Sequence, residues 1–252
     1  MRFLEGRKLL KALNWNNIHE EVDQRKGVDA PPLQKRVPAG AELIKLPDFG
    51  EVVSDSIPLV KAIESRQSVR SYGKHEINLE ELSFLLWATQ GVRKVLPNRV
   101  ASFRTVPSGG ARHAFETYVY ARMIKGLDNA IYRYVPLDHA LYKYRDEEEL
   151  DNKIIDACLG QKFVASGAAV FFWSVIPYRA EWRYASVAHK MLAIDAGHVC
   201  QNLYLACEAI DCGTCAIGAY DQEPVDHLLK LDGVEEFVIY LAPVGKKKRD
   251  EN

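Results

Sequence analysis

The sequence predicts an α+β fold with a largely antiparallel central sheet flanked by helices. Strand-like and helix-like segments are interspersed along its 252 residues, without the regular spacing of a doubly wound parallel sheet. Residues 131–135 and 140–144 are rich in tyrosine and β-branched or aliphatic side chains, and the four-residue segment 136–139 between them indicates an antiparallel hairpin with one of the longer hairpin loops. An apolar pattern from Val187 to Ile210 predicts one long helix that crosses the core.

The composition bounds the kinds of partner that the chain can have. Hydrophobic residues make up 48% of it, the formal net charge is -1, and the sequence pI is about 6.7, so nothing favours nucleic acid or an anionic membrane. The longest apolar run, Val164 to Val175, is shorter than the roughly 20 residues that span a bilayer. The charged N-terminus lacks a signal peptide, and we therefore expect a cytoplasmic protein. With no secretory signal, the odd number of cysteines predicts reduced, mostly buried thiols at Cys158, Cys200, Cys207, Cys212 and Cys215.

Residues 1–57 are predicted to form an N-terminal extended arm, and residues 58–252 the main domain. The arm has a short helical pattern up to Asn14 and is then charged and rich in proline. Its segment Ala41–Leu46 alternates weakly between apolar and polar residues. We expect that segment to lie along a surface, such as that of a partner subunit.

The main domain opens with a helix that begins at Pro58 and places Leu59, Ala62 and Ile63 on one face. A second helix begins after Asn78, where Glu81 stands at the third helical position as in a capping box. The remaining predicted elements are a strand at 117–122, a helix at 147–163, a strand at 168–175, a strand at 214–218, a helix at 224–231 and a strand at 236–243.

Arginine and hydroxyl side chains converge in the octet Ser65–Tyr72, directly after the first helix. Arg66 and Arg70 share one side in either a helix or a strand, because side chains four residues apart lie on one face of a helix and alternate residues of a strand share a face. Paired guanidiniums suit a phosphate group, and Ser68 can add a neutral donor. The alternative is a solvated helix end, where cations are common.

Two glycine-containing segments lie further along the chain. In Pro107–His113 the adjacent glycines would let the backbone approach a flat ligand that a Cβ would obstruct, although glycine pairs also form turns that bind nothing. The second segment is Gly213–Tyr220, and the basic stretch Val244–Arg249 follows near the end of the chain. For Arg249 onward the alternative is a solvated charge run.

Four motifs follow one another in a specific order: Ser-Arg-x-Ser-x-Arg-x-aromatic, Pro-Ser-Gly-Gly-Ala-Arg-His, Asp-Ala-Gly-His-x-x-Gln-Asn-Leu and Gly-Thr-Cys-x-Ile-Gly. Between about Gln24 and Lys248 this pattern resembles the FMN-dependent nitroreductase superfamily, and within it the SagB-type dehydrogenase branch, the relatives of azoline oxidases. The resemblance implies a nitroreductase-like fold in an intertwined homodimer, with FMN at the interface and NADH or NADPH as electron donor.

The resemblance also implies roles for individual residues. Arg66 and a C-terminal lysine would hold the FMN phosphate, and Arg70 would approach the pyrimidine edge of the flavin. Gln67 stands where a basic residue is more usual. The cofactor-binding set implied in this way is Arg66, Gln67, Ser68, Arg70, Pro107, Ser108, Gly109, Gly110, Gly213, Thr214, and Lys246 or Lys248.

The match departs from the azoline oxidases at their Lys-Tyr pair, which corresponds here to Arg183-Tyr184. Arginine stays protonated, so Arg183 cannot be a general base, although it could bind an anionic substrate. Tyr184 is a catalytic candidate, and its alternative is a packed aromatic residue. Cys212 and Cys215 have redox-motif spacing without a thioredoxin-like context or a second pair, and we predict no metal site.

The predicted function is an FMN-dependent NAD(P)H oxidoreductase that passes hydride between flavin and a small organic acceptor. One alternative is a SagB-type peptide azoline oxidase that uses oxygen as acceptor. Another is a flavin-binding module without catalytic activity.

Overall fold

The computed structural model describes residues 4–11, 15, 22–53 and 57–248. Its strands are β1 (Ile44–Lys45), β2 (Val92–Val95), β3 (Ser102–Arg104), β4 (Phe115–Ala121), β5 (Ala130–Val135), β6 (Ala140–Arg145), β7 (Ala169–Val175), β8 (Cys212–Thr214) and β9 (Phe237–Lys246). Seven of them form one sheet in the order β1-β6-β5-β4-β7-β9-β8, and β2 pairs with β3. Every neighbouring pair is antiparallel, which confirms the predicted α+β architecture.

The helices are α1 (Leu4–Leu10), α2 (Leu59–Ser65), α3 (Leu79–Gln90), α4 (Leu150–Ala157), α5 (Tyr178–Tyr184), α6 (Ala188–Ala209) and α7 (Gln222–Leu228). The start of α3 is fixed as predicted: the Glu81 amide donates to Asn78 Oδ1 at 2.7 Å, and the Asn78 amide donates to the Glu81 carboxylate at 3.0 Å. The long helix α6 is confirmed within one residue at each end. In the described ranges, no helix is both long enough and apolar enough to cross a membrane.

The sheet is buried on both faces because its central strands alternate between two hydrophobic layers. In β4, Val119 packs in the layer that contains α3 and α6, whereas Tyr118 packs in the layer that contains α4 and α7. In β7, Phe171 and Phe172 repeat this alternation directly opposite those two residues. All five cysteines are buried free thiols, and the prediction of buried thiols is confirmed.

Two predicted elements have other bounds. The helix predicted at 147–163 is divided, because Leu159 and Gly160 take positive φ values of 58° and 75° after α4 and a 3-10 turn follows at Lys162–Ala165. The strand predicted at 214–218 is also wrong. Its pairing with β9 ends at Thr214, and beyond it only an isolated bridge joins Ile217 to the sheet.

The arm packs on its own chain. The segment Ala41–Leu46, expected to lie along a surface such as that of a partner subunit, lies along the sheet of its own chain, where β1 pairs with β6. Earlier in the arm, Arg104 donates to the Leu33 carbonyl at 2.7 Å and Arg133 donates to the Lys35 carbonyl at 3.0 Å. The end of the predicted N-terminal helix, at Asn14, and the tail from Arg249 lie outside the described residues.

The first helix of the main domain forms where it was predicted, as α2. Of its apolar face, only Ala62 packs inward, against α6. Leu59 is 65% exposed, Val60 69% and Ile63 58%. This exposed apolar face of α2 has no cover within the part of the chain that the structure describes.

Candidate active site

The first and last motifs meet at the edge of the sheet. After α2 the chain runs beside β8, where the Val69 amide donates to the Thr214 carbonyl at 2.9 Å and Ser68 forms a parallel bridge with Thr214. A Cβ at Gly213 would lie 2.7 Å from the Cβ of Val69, so glycine is needed for this close approach. We call the resulting group of Arg66, Ser68, Arg70, Gly213 and Thr214 the arginine cluster.

Both guanidiniums of the arginine cluster lie over aromatic rings. The Arg66 Cζ is 5.3 Å from the ring centre of Tyr204, and the Arg70 Cζ is 5.8 Å from that of Phe163. Arg70 is exposed, as are the neighbouring Gln67 and Ser68. Within the described residues, neither guanidinium has a carboxylate at ion-pair distance. The cluster therefore offers two uncompensated cations beside backbone amides.

Tyr204 of α6 contacts the arginine cluster, and the sequence did not predict this role. Its hydroxyl lies 2.9 Å from the Ser68 Oγ and accepts a hydrogen bond from the Ala216 amide at 2.9 Å. The signal was present in the sequence, since Tyr204 directly follows the Asp-Ala-Gly-His-x-x-Gln-Asn-Leu motif. Phe163, by contrast, carries no sequence signal for its contact with Arg70.

The basic tail is partly neutralised within the chain. Lys246 forms an ion pair with Glu81 and donates to the Ile210 carbonyl at 2.9 Å. Lys247 is paired with a carboxylate at 2.7 Å. Lys248 is exposed, and the structure gives it no ion pair among the described residues. Of the two lysines predicted for phosphate binding, Lys248 is the one without an internal partner.

The second motif forms a turn, Pro107–Gly110, which we call the glycine turn. Gly110 has a φ of 59°, and the His113 amide donates to the Ser108 Oγ at 3.0 Å. The Gly109 amide donates to the Asp195 carboxylate of α6 at 3.1 Å. Burial raises the pKa of Asp195, although hydrogen bonds from Ser108 and Gly109 act in the opposite direction.

The two glycines of this turn make room for side chains of the same chain. A Cβ at Gly109 would lie 2.1 Å from the Met191 Cε, and one at Gly110 would lie 2.4 Å from the Tyr184 hydroxyl. The structure thus brings Tyr184 against the glycine turn. The exposed guanidinium of Arg183 lies beside it, 5.6 Å from the Tyr184 ring centre.

The arm fixes α5, which carries Arg183 and Tyr184. The Gln24 amide donates to the Trp182 carbonyl at 2.9 Å, and the Trp182 indole donates to the Val28 carbonyl at 2.8 Å. The Arg112 guanidinium stacks on the same indole at 4.8 Å. No sequence signal indicated these contacts, because they depend on the path of the arm.

The arginine cluster and the glycine turn lie on different sides of α6. Asp195 holds the turn and Tyr204 holds the cluster, and nine residues separate the two on the helix. That spacing corresponds to about 14 Å along the axis and about 180° around it. The two parts of the predicted site therefore flank α6 on opposite sides.

Comparison with known proteins identifies the family. The profile described as the nitroreductase family matches residues 63–246, which is most of the chain. This chain belongs to the nitroreductase family. A candidate nitroreductase of Methanocaldococcus jannaschii is 32% identical over 204 residues, covering 81% of this chain and 96% of that protein.

Solved structures share the nitroreductase fold. A candidate nitroreductase of Anabaena variabilis is similar with a TM-score of 0.67 and 24% identity over 85% of this chain, which spans only 45% of that longer protein. A chain of the E. coli microcin synthetase McbBCD complex, with truncated pro-MccB17 bound, has a TM-score of 0.61 and is 17% identical. That match covers 98% of this chain and 87% of the matched chain. A candidate nitroreductase of Exiguobacterium sibiricum, solved in complex with FMN, has a TM-score of 0.55 and is 14% identical. That match covers 77% of this chain and 90% of the matched chain.

The residues present fit FMN. A phosphate monoester carries negative charge and several acceptor oxygens, and the arginine cluster supplies two cations that have no carboxylate partner among the described residues. The exposed Ser68 hydroxyl adds a neutral donor, and exposed Lys248 adds a further cation. In the described part of the chain there is no group of three or more histidine, cysteine or acidic residues that could hold a metal ion.

Proposed function

We propose that this nitroreductase-family protein is an FMN-dependent oxidoreductase that passes hydride between NAD(P)H, flavin and a small organic acceptor. The observation that supports it is the arginine cluster, where Arg66 and Arg70 have no carboxylate partner among the described residues and lie beside the Gly213–Thr214 backbone. Bound flavin supplies the hydride chemistry, and the protein supplies position and charge.

The cluster divides into two tasks. Arg66 and Ser68, joined by Lys248, bind the phosphate through charge-assisted hydrogen bonds. Arg70 lies four residues further on, and its positive charge stabilises the negative charge that accumulates on the pyrimidine edge of a reduced flavin. Gln67, Gly213 and Thr214 line the same end of the site. Lys246 acts indirectly, by anchoring the tail to Glu81.

A second copy of the chain completes the site. Within one chain, the glycine turn is on the side of α6 opposite the arginine cluster, so both cannot enclose one flavin. In a two-fold symmetric homodimer, Pro107–Gly110 of one copy would line the ring held by the arginine cluster of the other. The exposed apolar face of α2 is suited to such an interface.

Tyr184 and Arg183 act on the acceptor. The Tyr184 hydroxyl reaches the glycine turn and can deliver a proton to a reduced acceptor. Arg183 stays protonated, so it orients an anionic group and does not remove protons.

The SagB-type branch, with oxygen as acceptor, is the second candidate. The fold similarity to the microcin synthetase complex favours it, whereas arginine in place of the lysine of the Lys-Tyr pair argues against azoline oxidation. The third possibility, a flavin-binding module without catalysis, differs from both in one measurable property. Its flavin would not be reduced by a nicotinamide donor.

The test is flavin content followed by anaerobic reduction. We expect the purified protein to be yellow, to release FMN on heating, and to be bleached by NADH or NADPH. A colourless protein that takes up no added FMN would refute the proposal. If neither nucleotide bleaches the bound flavin, the NAD(P)H reductase is refuted, and the oxidase and the non-catalytic module remain as the two candidate functions.

A further inference from the structure

A pocket opens beside the glycine turn, on the side where α1 and Trp15 lie against the start of α6. Its volume is about 290 Å³, and Trp15, Leu9, Val187 and Ile194 form much of its apolar wall. That volume is at the small end of ligand pockets and suits one or two aromatic rings.

The pocket adjoins the residues that we assign to the acceptor. Trp15 lies edge-on to Tyr184, with ring centres 6.1 Å apart. Met191, which also lines the pocket, occupies the space above Gly109. A molecule in the pocket would therefore lie next to the glycine turn and the Tyr184 ring.

The titratable residues that line this pocket are all basic. Lys8, Lys11, Lys190 and His189 line the pocket, and no acidic residue is among its described lining residues. The His189 Nε2 lies 2.8 Å from a carboxylate oxygen of Glu181, so this imidazole is already paired. Lys11 and Lys190 have no such ion pair within the described ranges. The apolar wall thus carries a lysine rim with excess positive charge.

We propose that this pocket is the acceptor site and that it selects planar aromatic acids, with the ring on Trp15 and the acidic group at Lys190 and Lys11. A flat ring meets an aromatic and aliphatic wall, and an anionic substituent meets ammonium groups that have no ion pair among the residues that the structure describes. This inference rests on the proposed function for the identity of the reaction, but binding in the pocket needs no electron transfer.

The experiment compares 2-naphthoate with its neutral isostere 2-naphthamide by isothermal titration calorimetry on the purified full-length protein. We expect 2-naphthoate to bind more tightly, and Lys190→Ala to weaken it about tenfold, the size of one hydrogen bond to a charged group. The same substitution leaves 2-naphthamide unchanged. Trp15→Leu weakens both ligands, because it removes the ring surface that they share.

Lys125→Ala is the matched control, since Lys125 is exposed and is not part of this pocket lining. Equal affinity for the two ligands, or an equal effect of Lys125→Ala and Lys190→Ala, overturns the pocket assignment. The outcome is separate from the flavin test. A colourless protein that binds 2-naphthoate as expected would support the pocket assignment and refute the oxidoreductase proposal. A flavoprotein that is bleached by a nicotinamide but binds both naphthalene ligands equally would support the oxidoreductase proposal and refute the pocket assignment.

Discussion

At the scale of single residues, Arg66 and Arg70 belong to one motif but have different surroundings. Arg66 is half-buried over Tyr204, whose hydroxyl also contacts Ser68. Arg70 is exposed and lies over Phe163. The Arg66 guanidinium is held beside donors suited to a phosphate group, whereas the Arg70 guanidinium places its positive charge at a separate position. Their substitutions should therefore affect different measurements.

Arg66→Ala should weaken FMN binding about tenfold or more, because it removes a charge-assisted hydrogen bond to phosphate. Arg70→Ala should change FMN affinity little and slow anaerobic flavin reduction about tenfold, because it removes charge next to the reduced ring. Flavin titration and stopped-flow reduction by NADPH or NADH measure the two effects. Equal losses in both measurements would mean that the two roles are wrongly divided.

The residue scale also shows where sequence patterns mislead. The Gly109-Gly110 pair predicts a close approach of a flat ligand to the backbone, and in this chain side chains occupy part of that space. The groups that approach are Met191 and Tyr184 of the same chain, and no property of the sequence identifies which atoms fill the space above a glycine. Arg66 and Thr214 were placed together through a resemblance, since 148 residues separate them and no local pattern joins them.

At the scale of elements, the arm and α5 are joined through a buried ion pair. The Arg179 guanidinium of α5 donates to the Glu116 carboxylate of β4 at 2.5 Å, and the Lys35 amide of the arm donates to the same carboxylate at 2.7 Å. Burial alone would raise the pKa of Glu116, but Arg179 and Arg133 outweigh it and lower that pKa. The ionised carboxylate thus fixes three segments of the chain at one point.

Glu116→Gln should lower the free energy of unfolding by about 3–5 kcal/mol at neutral pH, because it leaves the buried Arg179 charge without a partner. The lowered pKa means that Glu116 contributes stability above the ordinary glutamate value of 4.5, and that this contribution is lost as pH falls through the lower folded-state pKa. Urea unfolding across that pH range checks the prediction. The exposed Glu235→Gln is the control, and a pH-independent difference between Glu116→Gln and wild type would contradict it.

Long elements could be predicted because their patterns repeat many times. The hydrophobic patterns of the 22-residue helix α6 and of the fully buried strands β4 and β7 are long enough to identify the type of each element. The two residues of β1 carry no usable period, and their partner strand β6 begins about 95 residues later. In α2 the helical period correctly predicts an apolar face, but periodicity does not state whether that face meets the same chain or another one.

At the scale of the whole molecule, the exposed face of α2 and the position of α6 give one testable expectation. Val60→Asp should convert a dimer into a monomer and reduce FMN retention at the same time, because a charge on an apolar interface is costly to bury. Light scattering after size exclusion and the flavin-to-protein ratio measure both. Val234→Asp is a matched control, since Val234 is 72% exposed and lies in the loop before β9. A monomeric wild type that keeps its FMN would contradict the composite site.

Under the proposed composite site, in which α6 separates the arginine cluster from the glycine turn of one copy, cofactor retention depends on protein concentration. Each FMN held between two copies stabilises their association, and by mass action the association of the copies tightens the hold on FMN. Dilution would then release flavin even at constant free FMN, and crowding in a concentrated compartment would keep it bound. In the proposed dimer, a helix with a binding surface on each flank would therefore couple assembly of the two copies to FMN binding in a single equilibrium.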